Sequence, residues 1–118
     1  MKASDLAKQF ELPVVAGTNG LEKTVSGGHC GDLLSEVMAN APVGCVWLTI
    51  QIHQNIVAVA LLKEMAAIIL TGGNKPDAET CAKADEEGIP ILLSSRRSYE
   101  LAGQLYAVGV GRDEPNDS

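Results

Sequence analysis

The sequence predicts a single α/β domain with a mixed, mostly parallel sheet. Three short apolar runs alternate with three stretches of helical character. The apolar runs are residues 45–50, 66–70 and 89–94, and the helical stretches are residues 55–65, 77–88 and 98–109. Strands this apolar are typical of parallel sheets that helices cover on both faces, and right-handed crossovers make successive strands neighbours. A chain of 118 residues is long enough for one such domain.

The first third of the chain adds two helices and two strands to this pattern. Ser4 is the expected N-cap of a short amphipathic helix that Pro13 ends. Strands are predicted over residues 12–17 and 21–27, and the Asn-Gly pair between them favours a hairpin. We therefore expect both strands to join the sheet antiparallel. Residues 31–41 have the spacing of a further helix.

Composition and charge limit the possible classes of function. Fifteen acidic and nine basic residues give a formal net charge of −6, which repels nucleic acid and anionic membranes but leaves room for a local basic pocket. Three cysteines without CxxC spacing indicate neither a disulfide framework nor a zinc cluster. The N-terminus lacks the apolar core of a signal peptide, and no apolar run approaches the ~20 residues that span a bilayer. We expect a soluble cytoplasmic protein without metal or cofactor.

Polar segments follow the predicted strands at the places where ligands bind in open parallel sheets. These segments are SGGHCGD, QIHQN, TGGNKPD and SSRRS, and we expect them to converge on the carboxyl edge of the sheet. The candidate ligand-binding residues are Gly27, Gly28, His29, His53, Asn55, Thr71, Gly72, Gly73, Lys75, Arg96 and Arg97. The diglycines could expose backbone amides to an anion, Thr71 could supply one hydrogen bond, and the cationic side chains would favour negative charge.

Structural roles compete with ligand binding at several of these positions. Diglycines also satisfy the geometry of tight strand-to-helix turns. Asn55, Ser98 and either Asp77 or Asn74 are expected N-caps, and His53 is equally compatible with an ordinary exposed histidine. No GxxxxGK[ST] or GxGxxG motif occurs, so nucleotide hydrolysis and kinase activity have no visible apparatus.

Two further side chains have competing interpretations. Cys30 lies beside His29 near a helix start, where a thiol can be activated, but adjacent residues rarely face each other as a catalytic dyad. Trp47 is expected in the core. An alternative places a subunit interface at Trp47, or at the side of the predicted 31–41 helix that carries Val37 and Met38.

The segments SGGHCGDLLSEVMANA and SYELAGQLY, together with residues 55–95, resemble the free-standing branch of the DRTGG domain family. The resemblance covers nearly the whole chain and is strongest over residues 55–95. A helix, IILTGG, a helix that begins with Pro-Asp, and the strand GIPILLS follow one another in the family's order. Thr71, Gly72 and Gly73 carry the family motif, whereas Ile52 and His53 stand where the family has its Asp-Arg pair. The resemblance implies a three-layer α/β/α sandwich with a mixed, largely parallel sheet, similar to the N-terminal domain of HPr kinase/phosphorylase. The resemblance includes no counterpart of the kinase catalytic domain, so we expect no kinase activity.

Together these features favour a non-enzymatic, homodimeric regulatory module that senses a small anionic metabolite or binds a partner protein. One alternative is a purely structural dimerisation or protein-interaction domain. A less favoured alternative is a small enzyme that uses Cys30 or His29. We expect the domain to span residues 1–110, followed by a flexible polar tail over residues 111–118.

Overall fold

The computed structural model describes residues 1–112 of the chain. This part forms five strands and five α-helices. In chain order they are α1 (Ala3–Gln9), β1 (Val14–Ala16), β2 (Gly27–Cys30), α2 (Leu34–Asn40), β3 (Cys45–Thr49), α3 (Asn55–Leu62), β4 (Ala67–Leu70), α4 (Ala78–Glu87), β5 (Ile91–Leu93) and α5 (Ser98–Ala107). Within these 112 residues, no helix is long and apolar enough to cross a membrane.

The strands form one sheet in the order β1-β5-β4-β3-β2. Strands β2 to β5 are parallel, and β1 pairs antiparallel with β5. Every residue of β3 and β4 is buried, which explains why these strands are apolar throughout rather than alternating. The prediction of a mixed, mostly parallel sheet is confirmed.

Helices cover both faces of the sheet. Alternate strand residues such as Trp47 and Ile68 pack with the apolar faces of α2, α3 and α4. Their neighbours, such as Val46 and Ile69, pack with α1 and α5 on the other face. The structure is therefore the predicted three-layer α/β/α sandwich, and the loops at the carboxyl ends of the strands lie along one edge of it.

The predicted N-terminal hairpin is wrong. Strands β1 and β2 occupy opposite edges of the sheet, and residues 21–26 contribute only an isolated bridge between Thr24 and Lys2. The Asn-Gly pair instead belongs to a 3-10 turn packed against the connection between α4 and β5. A Cβ at Gly17 would lie 1.9 Å from the carbonyl oxygen of Ile89, so the backbones touch there. The segment after β1 therefore packs against the connection between α4 and β5 instead of turning back to pair with β1.

Helix starts also differ from the predicted caps. Ser4, Asn55 and Ser98 each lie inside the helix that they were expected to precede. Asp77 does occupy the N-cap position of α4, but its side chain makes no capping bond because its carboxylate contacts His53. Asp77 and Ser98 thus use their side chains in tertiary contacts, with His53 and Thr71, rather than in local capping.

Trp47 and the C-terminal segment complete the packing. Trp47 is fully buried and its Nε1 donates to the carbonyl oxygen of Gly31 at 2.9 Å, which confirms its core role and leaves it no surface for an interface. After α5, Gly111 packs on Gly27, and the Arg112 guanidinium lies 5.9 Å from the centre of the Tyr106 ring. The rest of the predicted tail, residues 113–118, lies outside the described residues.

Candidate functional site

Three loops at the carboxyl edge of the sheet are joined by backbone hydrogen bonds. The amide of Gly72, after β4, donates to the carbonyl oxygen of Arg96, after β5, at 2.8 Å. On the other side, the amide of Asp77 donates to the carbonyl oxygen of Ile52, after β3, at 3.2 Å. The structure thus brings together the QIHQN, TGGNKPD and SSRRS segments as expected for parallel strands.

The Thr71-Gly72-Gly73 turn sits at the centre of these loops. Gly72 and Gly73 have φ of 68° and 78°, which glycine adopts without strain. Their amides do not face solvent as an anion cradle, because they donate to the carbonyl oxygens of Arg96 and Ser94 at 2.8 and 2.9 Å. The expectation of exposed diglycine amides is therefore wrong, and the turn-geometry interpretation explains this segment.

Thr71 holds the same turn together from inside. Only 1% of its surface is exposed. Its Oγ1 lies 2.6 Å from the Oγ of Ser98, and its carbonyl oxygen accepts a hydrogen bond from Asn74 Nδ2 at 2.8 Å. Thr71 therefore links β4 to the start of α5, and its expected hydrogen bond to a ligand is replaced by this internal contact.

The first diglycine lies elsewhere. Gly27, Gly28 and His29 belong to strand β2 at the edge of the sheet rather than to a loop after a strand, and neither glycine has a positive φ. His29 Nε2 lies 3.1 Å from Glu36 Oε1 on α2. This contact holds the pKa of the Glu36 carboxyl below its usual range. Gly27, Gly28 and His29 therefore lie apart from the loops that meet at the carboxyl ends of β4 and β5.

His53 forms a contact that couples two loops. Its Nδ1 lies 2.7 Å from the Asp77 carboxylate, and both side chains are largely exposed. The contact ties the loop after β3 to the N-terminus of α4. Asn55, the next candidate along the chain, is an exposed residue in the first turn of α3.

A cleft of about 460 Å³ opens at the carboxyl ends of β4 and β5. Three of the candidate residues line it: Gly73, Lys75 and Arg96. Arg96 is held in place because its Nη1 donates to the carbonyl oxygen of Phe10 at 3.1 Å. Arg97, at the N-cap of α5, is exposed and does not line this cleft.

Sequence reasoning missed several residues of the cleft. Asn74, Ser94 and Ser95 belong to segments that the sequence did single out, so their position after the strands was the available signal. The third wall comes from residues 11–13, between α1 and β1. No local pattern identifies this wall, because it is placed by the pairing of β1 with β5, including a bond from the Leu93 amide to the Pro13 carbonyl at 2.9 Å.

The geometry around Cys30 does not favour thiol catalysis. Burial, and to a lesser extent nearby Asp32, raises the pKa of the Cys30 thiol. Successive residues of a strand project to opposite faces, which separates the Cys30 and His29 side chains. In the part of the chain that the structure describes, no group of His, Cys, Asp and Glu side chains could hold a metal ion.

Comparison with known families gives one match. The model described as the DRTGG domain matches residues 37–108, from α2 to the end of α5. The chain belongs to the DRTGG domain family. The DRTGG family is one of small regulatory-type domains. No curated protein matches the chain, and the similarity to the HPr kinase N-terminal domain stays a prediction.

In this DRTGG domain, the residues that stand in place of the family's Asp-Arg pair, Ile52 and His53, connect the loop after β3 to the start of α4. The Ile52 carbonyl oxygen accepts bonds from the Asp77 amide and from Thr80 Oγ1, the latter at 2.7 Å. The His53 ring contacts the Asp77 carboxylate. The loop after β3 is thus attached to α4 without an aspartate at position 52 or an arginine at position 53.

Proposed function

We propose that this DRTGG domain is a non-enzymatic regulatory module that binds a small anionic metabolite in the cleft at the carboxyl edge. The observation that carries the proposal is the cleft itself, in which Lys75 and Arg96 provide positive charge on a chain with a formal net charge of −6. Glu11 also lines the cleft, so its two cations outnumber its one carboxylate and leave it net positive on an acidic chain. Small anions should therefore bind there in preference to other places on the surface.

The cleft has the size and chemistry of a metabolite site. Its volume of about 460 Å³ falls within the range of small-molecule pockets. The Arg96 guanidinium has further N–H donors besides the one that Phe10 accepts. Asn74 and Ser95 add polar groups, and Leu93 supplies apolar contact. A carboxylate or phosphate could therefore bind between the two cations.

A thermal-denaturation screen with carboxylates, inorganic phosphate, sugar phosphates and nucleotides tests this proposal. A ligand at about 100 times its Kd should add about 2.7 kcal/mol to the free energy of unfolding. Lys75→Gln should abolish the effect of the ligand. Lys83→Gln, which removes one charge from α4 outside the cleft, should preserve it. The proposal fails if no anion changes the melting temperature.

The outward face of α5 supports a second candidate function, homodimerisation. Tyr99 and Tyr106 are 93% and 58% exposed, and a Cβ added at Gly103 between them would project into open space. The three residues of this stripe are themselves uncharged, and the Arg112 guanidinium lies 5.9 Å from the centre of the Tyr106 ring at one end of it. An exposed aromatic stripe of this kind favours contact with a second copy, and the glycine permits close approach of the two helices.

Light scattering during size-exclusion chromatography tests the dimer. Gly103→Glu places a carboxylate at the centre of the stripe, where two copies would repel, and should give a monomer. Ala82→Glu adds the same charge at an exposed position of α4 and should leave the dimer intact. A monomeric wild-type protein would contradict this candidate and leave the stripe free for a partner protein.

We also assign the module to the cytoplasm, where its three free cysteines would stay reduced.

A further inference from the structure

The carboxyl-edge cleft carries charges of both signs. Glu11 lines it together with Lys75 and Arg96. In residues 1–112, no ion pair joins the Glu11 carboxylate to either cation. Opposite charges that face one cavity without reaching each other are complementary to a ligand that carries both charges itself.

The backbone fixes the acidic wall relative to the basic one. Helix α1 ends with Glu11 in a left-handed conformation, φ 54°, and with a bond from the Leu12 amide to the Ala7 carbonyl oxygen at 2.9 Å. The residue before Glu11 is Phe10, whose carbonyl oxygen accepts the bond from Arg96. The segment that carries the carboxylate is thus attached directly to the guanidinium on the opposite wall.

We propose that the ligand is a free amino acid with an acidic side chain. Its ammonium group would pair with Glu11, and its two carboxylates would pair with Lys75 and Arg96. One negative and two positive side chains match one ammonium group and two carboxylates in number and sign. The apolar walls formed by Leu12 and Leu93 would contact the methylene groups. This inference rests on the proposed function, because it identifies the class of anion that occupies the same cleft.

Isothermal titration calorimetry with matched pairs of ligands tests the inference. L-Glutamate is compared with glutarate, and L-aspartate with succinate, because each pair differs only in the amino group. We expect at least one amino acid to bind about ten-fold more tightly than its partner without the amino group, as for one added charge-assisted hydrogen bond. Equal binding within both pairs would overturn the inference and leave anion binding intact. Absence of binding by these four compounds overturns the inference, and absence of binding by phosphates as well overturns the proposed function.

Variants of two glutamates provide the matched control. Glu11→Gln keeps the shape of the side chain and should reduce the affinity for the amino acid to that of its partner without the amino group. Glu64 has the same left-handed conformation, φ 52°, but lines a different cleft at the amino ends of the strands. Glu64→Gln should leave both affinities unchanged. A loss of discrimination in Glu64→Gln, or its retention in Glu11→Gln, would contradict the assigned role of Glu11.

Discussion

Replacing Glu11 or Glu64 by glycine should stabilise the fold. Helices α1, α3 and α4 end in the same way, with one residue in the left-handed conformation followed by a bond back to the last full turn. The left-handed residues are Glu11, Glu64 and Gly88, with φ of 54°, 52° and 68°. The bonds join the amides of Leu12, Met65 and Ile89 to the carbonyl oxygens of Ala7, Ala60 and Ala84, at 2.9, 2.9 and 3.0 Å. Glycine is the usual residue at this position, and α4 has it. Helix α5 also has it, at Gly109 with φ 104°, and there the Val110 amide donates to the Leu105 carbonyl oxygen at 3.1 Å. Helices α1 and α3 have glutamate instead.

The expected gain follows from two opposing effects. A non-glycine residue loses about 1–2 kcal/mol in the left-handed conformation, because its Cβ approaches the following carbonyl oxygen. Glycine avoids this cost but loses about 0.5–1 kcal/mol more conformational entropy on folding. The difference between these two ranges is about 0–1.5 kcal/mol for each substitution, with a midpoint of about 0.75 kcal/mol. Glu11 lies at the carboxyl ends of the strands and Glu64 at their amino ends, so the two gains should add to about 1.5 kcal/mol in the double variant.

Urea unfolding followed by circular dichroism measures these gains as an increase in the midpoint at constant slope. The alanine variants Glu11→Ala and Glu64→Ala are the controls, because they remove the carboxylate but retain the Cβ. They should show no comparable gain. If the alanine variants are stabilised as much as the glycine variants, the carboxylate rather than the backbone is the cause. If the glycine variants are destabilised, the assigned conformation is wrong.

The remaining predictions concern a buried hydroxyl pair, acid stability and thiol reactivity. Thr71→Val removes the contact with Ser98 and should cost about 0.5–1.5 kcal/mol in urea unfolding. Adding Ser98→Ala to Thr71→Val should cost less than the sum of the two single changes, and full additivity would show that the hydroxyls are not coupled. The pKa of folded Glu36 lies below its ordinary value of 4.5 because of His29, so their contact stabilises the fold above that pH and is lost as the pH falls further. The melting temperature of Glu36→Gln should therefore fall less than that of the wild type as the pH is lowered into the acid range. Identical pH profiles for the two proteins would contradict this. Burial raises the pKa of all three thiols, that of Cys45 to about 11, so iodoacetamide should react slowly with each at pH 7; one rapidly alkylated thiol would reopen the thiol-enzyme alternative.

The sequence by itself determined the parallel strands β3, β4 and β5, but not β2, which it predicted as an antiparallel hairpin strand over residues 21–27. Strands β3, β4 and β5 were predicted from three apolar runs, and the helices between them from their spacing. These elements could be predicted because full burial on both faces requires apolar residues at successive positions, which is a local property of the chain. The carboxyl-edge location of the site follows from the same reasoning, since parallel strands end on the same side.

Only the tertiary structure decided which groups face the cleft. The amides of Gly72 and Gly73 are used by neighbouring loops, and residues 11–13 form the wall opposite Arg96. Arg96 and Phe10 are 86 positions apart in the chain, yet they share the hydrogen bond that joins the two walls. Such contacts depend on the order of strands in the sheet, which side-chain periodicity along one strand does not encode.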